Sequence, residues 1–390
     1  MKESEQSGTQ EKLGRPRLLY AFSYGVVSEL ERIRQGDVPT HRLWGAVELG
    51  AMGWAVDVSP DPVGLWKRLG ALGWRAWQTR WLLGEEGRAV AIVAVHEVSA
   101  LILLFVRTLG WSGAPVVVLD LALLHPKNCT GYRRWIWRWL LRKAGRVVSL
   151  VSANRAELTR IFGVNPMCTA FLPMSIDSKF SGRAAAGLEQ NFVLAVGTND
   201  GKDFETLLEA LPNGTRLVVV TDSYNAGKVR RHRCFGGQIE VLEAVPARDL
   251  RELYRAAAVV VVPLADSSHG SGHTVLLETM AMGKVVVVSR ARCMRDYIGD
   301  DGAVLSVPVG NAAALREVLE EVLRYPERFC ELRERAAAQV RSTFDIARFG
   351  AGLDRIIREI TEENACRSPV NQGGAGKQQK EGEKSYASVS

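Results

Sequence analysis

The amino-acid sequence predicts an α/β protein built from two doubly wound parallel-sheet domains. Short runs of Val, Ile and Leu alternate with longer segments whose apolar residues have helical spacing, a pattern typical of parallel sheets covered by helices. This pattern stops at residues 173–190 and then starts again. The 390 residues also exceed the roughly 100 to 200 of one compact domain. Two domains joined near residue 180 are therefore predicted.

Each domain is predicted to contain six strands. Those of the first domain are expected at residues 18–22, 55–58, 90–95, 116–119, 147–151 and 168–172. Those of the second are expected at 192–196, 217–220, 239–242, 259–262, 285–288 and 304–307. Amphipathic helices are predicted at 311–325, 326–340 and 346–360, where apolar residues form a stripe.

These elements and the composition between them define the predicted boundaries. They are a disordered tail at 1–16, a first domain at 17–175, a linker at 176–190, a second domain at 191–342, a final helix at 343–360 and a disordered tail at 361–390.

The first residues carry charges of both signs and no apolar segment, so we expect no secretory signal and a cytoplasmic protein. No apolar stretch approaches the roughly 20 residues of a membrane span. The six cysteines show no C-x-x-C pairing, which argues against a disulfide framework.

The positive charge is concentrated in the first domain. Residues 1–178 contain 22 Lys and Arg against 15 Asp and Glu, whereas the remainder is balanced. On a helix at 131–143, Arg134, Arg138 and Arg142 would form a stripe with Trp135 and Trp139 on its flank. This arrangement suits the inner face of an anionic membrane, where Arg side chains snorkel and Trp lies at headgroup level. The alternative is an ordinary core helix with solvated arginines; nucleic acid is not expected, since no binding motif accompanies the charge.

The most informative segment is residues 259–289, VVVVPLADSSHGSGHTVLLETMAMGKVVVVS. A buried strand leads into a Gly/Ser/His loop, a helix at 274–282 and a second buried strand. A loop that runs into a helix start at the carboxyl edge of a parallel sheet is a ligand position, and the free N–H groups there favour a phosphate. The residues predicted to bind ligand are Gly270, Gly272, His273, Thr274, Val275 and Glu278. Alternatively, the loop is only a capped turn and Glu278 a solvated charge.

A second loop follows the first strand of the second domain. Gly197, Thr198 and Asn199 lead to Lys202, which lies just before a predicted helix at 204–211. A lysine at this position can neutralise a diphosphate as a point charge. Both loops open on the same edge of one sheet, which favours a shared ligand over a solvated lysine.

The second domain resembles the donor-binding half of the group 1 glycosyltransferases, family 4, of the GT-B fold. The resemblance runs through residues 192–202, 244–263, 276–289 and 302–307, and residues 343–345 with the final helix resemble the segment that crosses back onto the first domain. Residues 172–177 are similar to the domain junction and 39–49 to a first-domain segment. The resemblance implies two Rossmann-like domains facing a cleft, a nucleotide-sugar donor on the second domain and an acceptor on the first.

The family motifs can be placed on individual residues of this chain. Glu278 matches the second glutamate of the E-x7-E motif, which holds the ribose, and Lys202 matches the phosphate-binding lysine. Residues 272–275 match the helix start that faces the diphosphate.

The chain departs from the family pattern at three positions. Gly270 replaces the first glutamate of the motif, Thr198 replaces the arginine that partners the lysine, and Asp120 replaces a histidine that contacts the sugar. The resemblance suggests His269, His273 or His125 as substitutes for these sugar contacts.

The implied activity is transfer of a hexose-type sugar from a nucleotide sugar to a glycan, lipid or other hydroxyl acceptor, with Lys202 and His273 as catalytic residues. No D-x-D sequence or local histidine cluster predicts a metal site, so no metal or other cofactor is expected. Lys202 and the helix dipole would stabilise the leaving diphosphate instead. The resemblance further implies retention of anomeric configuration. The alternatives are a GT-B nucleotide-sugar epimerase and a non-catalytic protein that only binds nucleotide sugars.

Overall fold

Two six-stranded parallel sheets form the framework of the protein. The structure, a computed structural model, describes residues 14–182, 190–198, 200–236, 238–299 and 302–367. The strand order is β2-β1-β3-β4-β5-β6 in the first sheet and β12-β11-β10-β7-β8-β9 in the second. Each order changes direction in the doubly wound manner that the sequence predicts.

All twelve predicted strands are confirmed, with small shifts at their ends. In the first sheet they are β1 (Arg17–Phe22), β2 (Ala55–Val58), β3 (Ala91–Val95), β4 (Val116–Asp120), β5 (Arg146–Ser149) and β6 (Thr169–Phe171). In the second they are β7 (Phe192–Val196), β8 (Arg216–Thr221), β9 (Ile239–Glu243), β10 (Val259–Val262), β11 (Val286–Ser289) and β12 (Leu305–Val307). The central strands β3, β4, β7 and β10 are buried throughout, because helices cover both faces of each sheet.

Helices connect the strands of both sheets. In the first half they span Val27–Arg34, Ala46–Ala51, Leu65–Arg68, Gly70–Glu85, Glu97–Thr108, Pro126–Cys129, Gly131–Leu140, Asn154–Phe162 and Ser178–Ser181. In the second half they span Phe204–Ala210, Ser223–Arg231, Ala247–Ala256, His273–Ala281, Arg295–Ile298, Ala312–Arg324, Cys330–Thr343 and Ile346–Arg367. Over the ranges that the structure describes, no helix has the length and apolar composition needed to cross a bilayer.

Two predicted helices are interrupted by tighter turns. The segment 326–340 was predicted as one helix. It begins instead with the 3-10 turn Pro326–Phe329, whose first position suits proline, and the α-helix starts at Cys330. The basic segment predicted as helical through residue 143 leaves the α-helix at Leu140 and continues as a 3-10 turn, Leu141–Lys143. Arg142 therefore lies beyond the helix that carries Arg134 and Arg138.

The last helix is longer than predicted and contacts the first domain. It continues to Arg367, so the prediction of disorder from residue 361 is wrong for its first residues. The helix continues through residues 361–367, and Glu363 there pairs with Arg146 of β5 at 2.8 Å. Earlier in the same helix, Asp354 accepts a 2.6 Å hydrogen bond from the Trp54 indole. The rest of the predicted tail lies outside the described residues.

Polar bonds between the domains define their relative position. The Tyr297 hydroxyl donates to the Leu150 carbonyl at 2.6 Å and accepts from the Met174 amide at 2.8 Å. The side chain of Asp296 accepts two bonds from Ser152, at 2.7 and 2.6 Å. These contacts bring the carboxyl edges of the two sheets to face each other across a cleft.

Candidate functional site at the domain cleft

The loop after β10 enters helix His273–Ala281 through Gly272. This residue is the N-cap, with a φ of 78°, in the left-handed region that favours glycine. A Cβ here would lie 2.7 Å from Val262 Cγ1 and 3.2 Å from Lys202 Nζ, so no larger side chain fits. Glycine has no side chain to cap the helix, and within the described ranges no side chain accepts from the first-turn amides of Thr274 and Val275.

Lys202 brings a positive charge to this helix start. A bridge between Lys202 and Leu264 holds the backbone of its loop beside the end of β10. Its Nζ is buried, and no hydrogen-bond partner is present among the described residues. Burial lowers the pKa of Lys202 to about 8. A buried ammonium without a partner at a helix N-terminus requires an anion to offset its desolvation, so the two features together form an anion site.

The glycine before this lysine makes room for it. A Cβ on Gly197 would collide with Lys202 Cε, so glycine is needed for the lysine to fold back over the end of β7. Thr198 follows in the same loop, on the same edge of the sheet. Asn199, also predicted to bind the donor, lies outside the described residues.

Glu278 lies one turn along the same helix and faces the first domain. Its side chain is 14% exposed, and its Oε1 is 3.6 Å from His41 Nε2. Burial raises the pKa of Glu278 to about 7, while the Tyr254 hydroxyl and the Arg42 guanidinium oppose that shift. Among the described residues no Lys or Arg forms an ion pair with this carboxylate, so its oxygens can accept hydroxyl donors from a ligand.

His41 is a residue that motif matching missed. Its Nδ1 accepts the Asp177 amide at 3.0 Å, which orients Nε2 towards Glu278. Burial lowers the pKa of His41 to about 4, so the ring is neutral and Nε2 carries a proton. The only sequence signal was the resemblance of the segment 39–49, which named no role for this histidine.

His273 is buried at the start of the helix that follows β10. The ring is buried, stacks on Tyr297 at 4.2 Å between centroids and has Nε2 2.8 Å from the Cys293 carbonyl. Burial lowers the pKa of His273 to about 4. These contacts show a ring that holds the helix start in place; the catalytic role stays a prediction.

The edge of the first sheet carries a buried carboxyl pair opposite the donor loops. Asp120 ends β4, and burial together with the neighbouring Glu97 carboxyl raises its pKa to about 7. Burial likewise raises the pKa of Glu97 to about 7. His96, which precedes Glu97, has a φ of 73°, a strained value for a residue with a side chain. Sequence reasoning identified Asp120 but missed Glu97 and His96, because only the fold brings β3 and β4 side by side.

The remaining predicted histidines meet at the mouth of the cleft. His125, from the loop after β4, has Nε2 3.1 Å from Asp200 Oδ2 of the loop after β7. The rings of His125 and His269 lie 5.0 Å apart. Gly270, next to His269, is close enough to the first domain that a Cβ there would lie 3.8 Å from the Leu121 carbonyl.

The basic, Trp-bearing helix lies on the outer surface of the first domain. Trp135 is 65% exposed and stacks on Trp139, which in turn contacts Phe105 edge-on. Arg134 donates to the Ile161 carbonyl at 3.1 Å, at the end of the neighbouring helix. Arg138 also contacts this neighbour, at Gly163. The tryptophan pair thus forms an exposed aromatic surface with cationic groups beside it.

The geometry suits a ligand with an anionic centre and a neighbouring pair of hydroxyl groups. Lys202 and the helix start would neutralise the anion, and Glu278 would accept the hydroxyls from one turn away. A second group, bonded to the anion, would point across the cleft towards Asp120. A nucleoside diphosphate that carries a sugar has this sequence of groups.

Comparison with known proteins points in the same direction. Residues 190–325 match the family model described as Glycosyl transferases group 1. This range contains both donor loops and the helix between β10 and β11. No curated protein matches the chain.

Solved structures resemble the whole chain. Sucrose-phosphate synthase from Thermosynechococcus elongatus has a TM-score of 0.69 at 16% identity, covering 90% of this chain and 100% of its own. Anabaena HepE in complex with UDP has a TM-score of 0.66 at 15% identity, and the match covers 88% of this chain and 100% of HepE. HepE in complex with UDP-glucose has a TM-score of 0.64 at 15% identity, and the match covers 90% of this chain and 99% of HepE. The chain thus has the two-domain GT-B fold, and its residues 190–325 are similar to the group 1 glycosyltransferase family model.

Proposed function

We propose that the protein is a family 4 glycosyltransferase that moves a hexose from a nucleotide sugar to a hydroxyl acceptor, with retention of configuration. The observation that carries this proposal is the buried ammonium of Lys202, which has no hydrogen-bond partner in the part of the chain that the structure describes, against the start of helix His273–Ala281. Such a pair stabilises charge that grows on a leaving diphosphate. The relatives that hold UDP and UDP-glucose support a nucleotide sugar as the donor.

In this mechanism Glu278 binds the ribose and fixes the donor relative to Lys202. As the bond between the sugar and the diphosphate breaks, negative charge moves onto the phosphate oxygens beside Lys202 and the first-turn amides. The reaction needs no metal ion for this neutralisation. The sugar is directed towards the first domain, where Asp120 and Glu97 have pKa values near 7 that suit proton exchange with a hydroxyl acceptor.

Transfer from a panel of nucleotide sugars tests this function. The full chain is incubated with UDP-, GDP-, ADP- and CMP-sugars and mixed hydroxyl acceptors, and free nucleotide release is measured. We expect one nucleotide to be released and to raise the melting temperature, since a ligand at a hundred times its Kd adds about 2.7 kcal/mol to the stability. Saturable binding without product would instead identify a nucleotide-sugar-binding protein, and a changed sugar on the recovered donor would identify an epimerase.

We further propose that the acceptor is presented at an anionic membrane surface, by the arginine and tryptophan side chains around Trp135. At low salt we expect the protein to sediment with anionic vesicles. Each arginine near the surface contributes about 1 kcal/mol, and the exposed Trp135 adds interfacial burial. The triple variant R134Q/R138Q/R142Q and the single variant W135S should stay in the supernatant.

The control for this experiment is Trp111→Ser, which removes another exposed tryptophan, 53% accessible, from outside the helix. Sedimentation of the control should match that of the parent. Salt should release the parent, because the Debye length falls to about 3 Å at 1 M. If the parent fails to bind at low salt, or if W135S binds as well as the parent, the acceptor does not reach the enzyme by this surface.

A further inference from the structure

A cluster of three potential metal ligands spans the domain cleft, on the loops that follow β4, β7 and β10. His125 belongs to the first domain, whereas Asp200 and His269 belong to two loops of the second. One potential ligand atom from each residue lies within 4.8 Å of the other two. Ligand atoms around a tetrahedral zinc ion lie about 3.4 Å apart, so side-chain adjustments alone would close the cluster around one ion.

His269 provides an independent sign that this cluster binds a ligand. Both of its ring nitrogens are buried, and neither has a hydrogen-bond partner within the described ranges. A neutral imidazole carries one donor and one acceptor, and burying either without a partner costs free energy. A metal ion bound to one nitrogen would satisfy the buried lone pair.

We propose that His125, Asp200 and His269 bind a divalent transition-metal ion of the zinc class that links the two domains. Two imidazoles and one carboxylate suit zinc, whereas magnesium prefers oxygen ligands. Three protein ligands leave a fourth position for water or an anion. Since the ligands come from both domains, the ion binds only when the cleft is closed and stabilises that arrangement.

Binding requires one local change at His125. Its Nδ1 lies 3.2 Å from the Lys127 amide, which donates to it. Coordination through Nε2 requires the tautomer with a proton on Nδ1, so this bond is given up. Lys127 is exposed, and water replaces the lost acceptor at its amide. The Asp200 carboxylate, now bonded to the imidazole, becomes a ligand of the ion.

Calorimetric titration of the metal-free full chain with Zn²⁺ alone tests the proposal. We expect one ion per chain, no comparable binding of Mg²⁺, and a rise in melting temperature with Zn²⁺. The variants H269A and D200N should each weaken Zn²⁺ binding at least tenfold, and their metal-free circular dichroism should match that of the parent. No nucleotide sugar is present, so the result does not depend on the proposed transferase activity.

The matched control is His232→Ala. His232 lies in the second domain near the exposed Cys234, outside the cluster, and is a plausible adventitious zinc ligand. Zinc binding by H232A should equal that of the parent. The proposal is overturned if the parent shows no saturable Zn²⁺ binding, if H269A and D200N bind as the parent does, or if binding disappears in H232A.

Discussion

Replacing Lys202 with methionine is expected to reduce turnover by about 10² to 10³ while making the unliganded protein more stable. Removal of one electrostatic stabiliser of a transition state has an effect of this size. Burial lowers the pKa of Lys202 to about 8 from 10.5, so keeping the ammonium charged at neutral pH costs the folded state about 3 kcal/mol. Methionine has a similar length and no charge, and removes that cost. Urea unfolding and steady-state transfer assays on the same preparation measure both effects.

Lys228 provides the matched control for this experiment. Its side chain is exposed and its ammonium lies over the Tyr224 ring, 4.6 Å from the centroid. Lys228→Met should leave both turnover and stability close to those of the parent. A K202M variant with turnover within about threefold of the parent would place the diphosphate elsewhere in the cleft. A loss of stability in K202M would mean that the lysine supports the fold.

Glu278→Gln is expected to weaken donor binding about tenfold to a hundredfold and to change the pH profile. An amide offers one acceptor where the carboxylate takes two hydroxyl donors, and a hydrogen bond to a charged group contributes about 1.5 to 3 kcal/mol. Donor binding requires Glu278 ionised, which occurs above its pKa of about 7. It also requires Lys202 charged, which occurs below its pKa of about 8. In the parent, kcat/KM should therefore rise through pH 7 and fall through pH 8.

The two limbs of this profile are assigned by separate variants. Asp120 and Glu97 also have pKa values of about 7, so E278Q should make the acidic limb shallower and keep the alkaline limb. The residual activity of K202M should keep the acidic limb only. Glu252→Gln is the control, because Glu252 is an exposed carboxylate on the helix Ala247–Ala256 that pairs with Arg255. An E278Q variant whose affinity and acidic limb equal those of the parent would remove Glu278 from the donor site.

The sheets were predictable because each strand is encoded locally. A run such as Val259–Val262 is buried on both faces, and its composition alone identifies a central parallel strand. The sequence also placed Lys202 and Glu278 in one region, since the carboxyl ends of neighbouring strands share an edge. The extension of the final helix past Ile360 was not predictable in this way. The extension contacts Arg146, a residue far away in the sequence that no local pattern identifies.

The residues that the sequence did not connect are those brought together by both domains. His125 and Asp200 are 75 positions apart, and neither lies in a motif that names the other. His41 and Glu278 meet only because the first domain faces the second. The burial of His273 could not be predicted from the sequence either. The spacing of apolar residues does not distinguish a helix start that faces a ligand from one that packs on Tyr297. Interdomain chemistry therefore required the structure.

The last helix has a consequence for how the chain is synthesised. Its Phe349 contacts Trp44 edge-on, 6.1 Å between centroids, and its Asp354 bonds to Trp54, so it covers part of the amino-terminal domain. A ribosome releases the amino terminus first, and this cover emerges only after the strands of the second sheet. The nascent first domain therefore exposes the apolar surface around Trp44 while the second domain is synthesised, and completes its packing only after the second domain has left the exit tunnel.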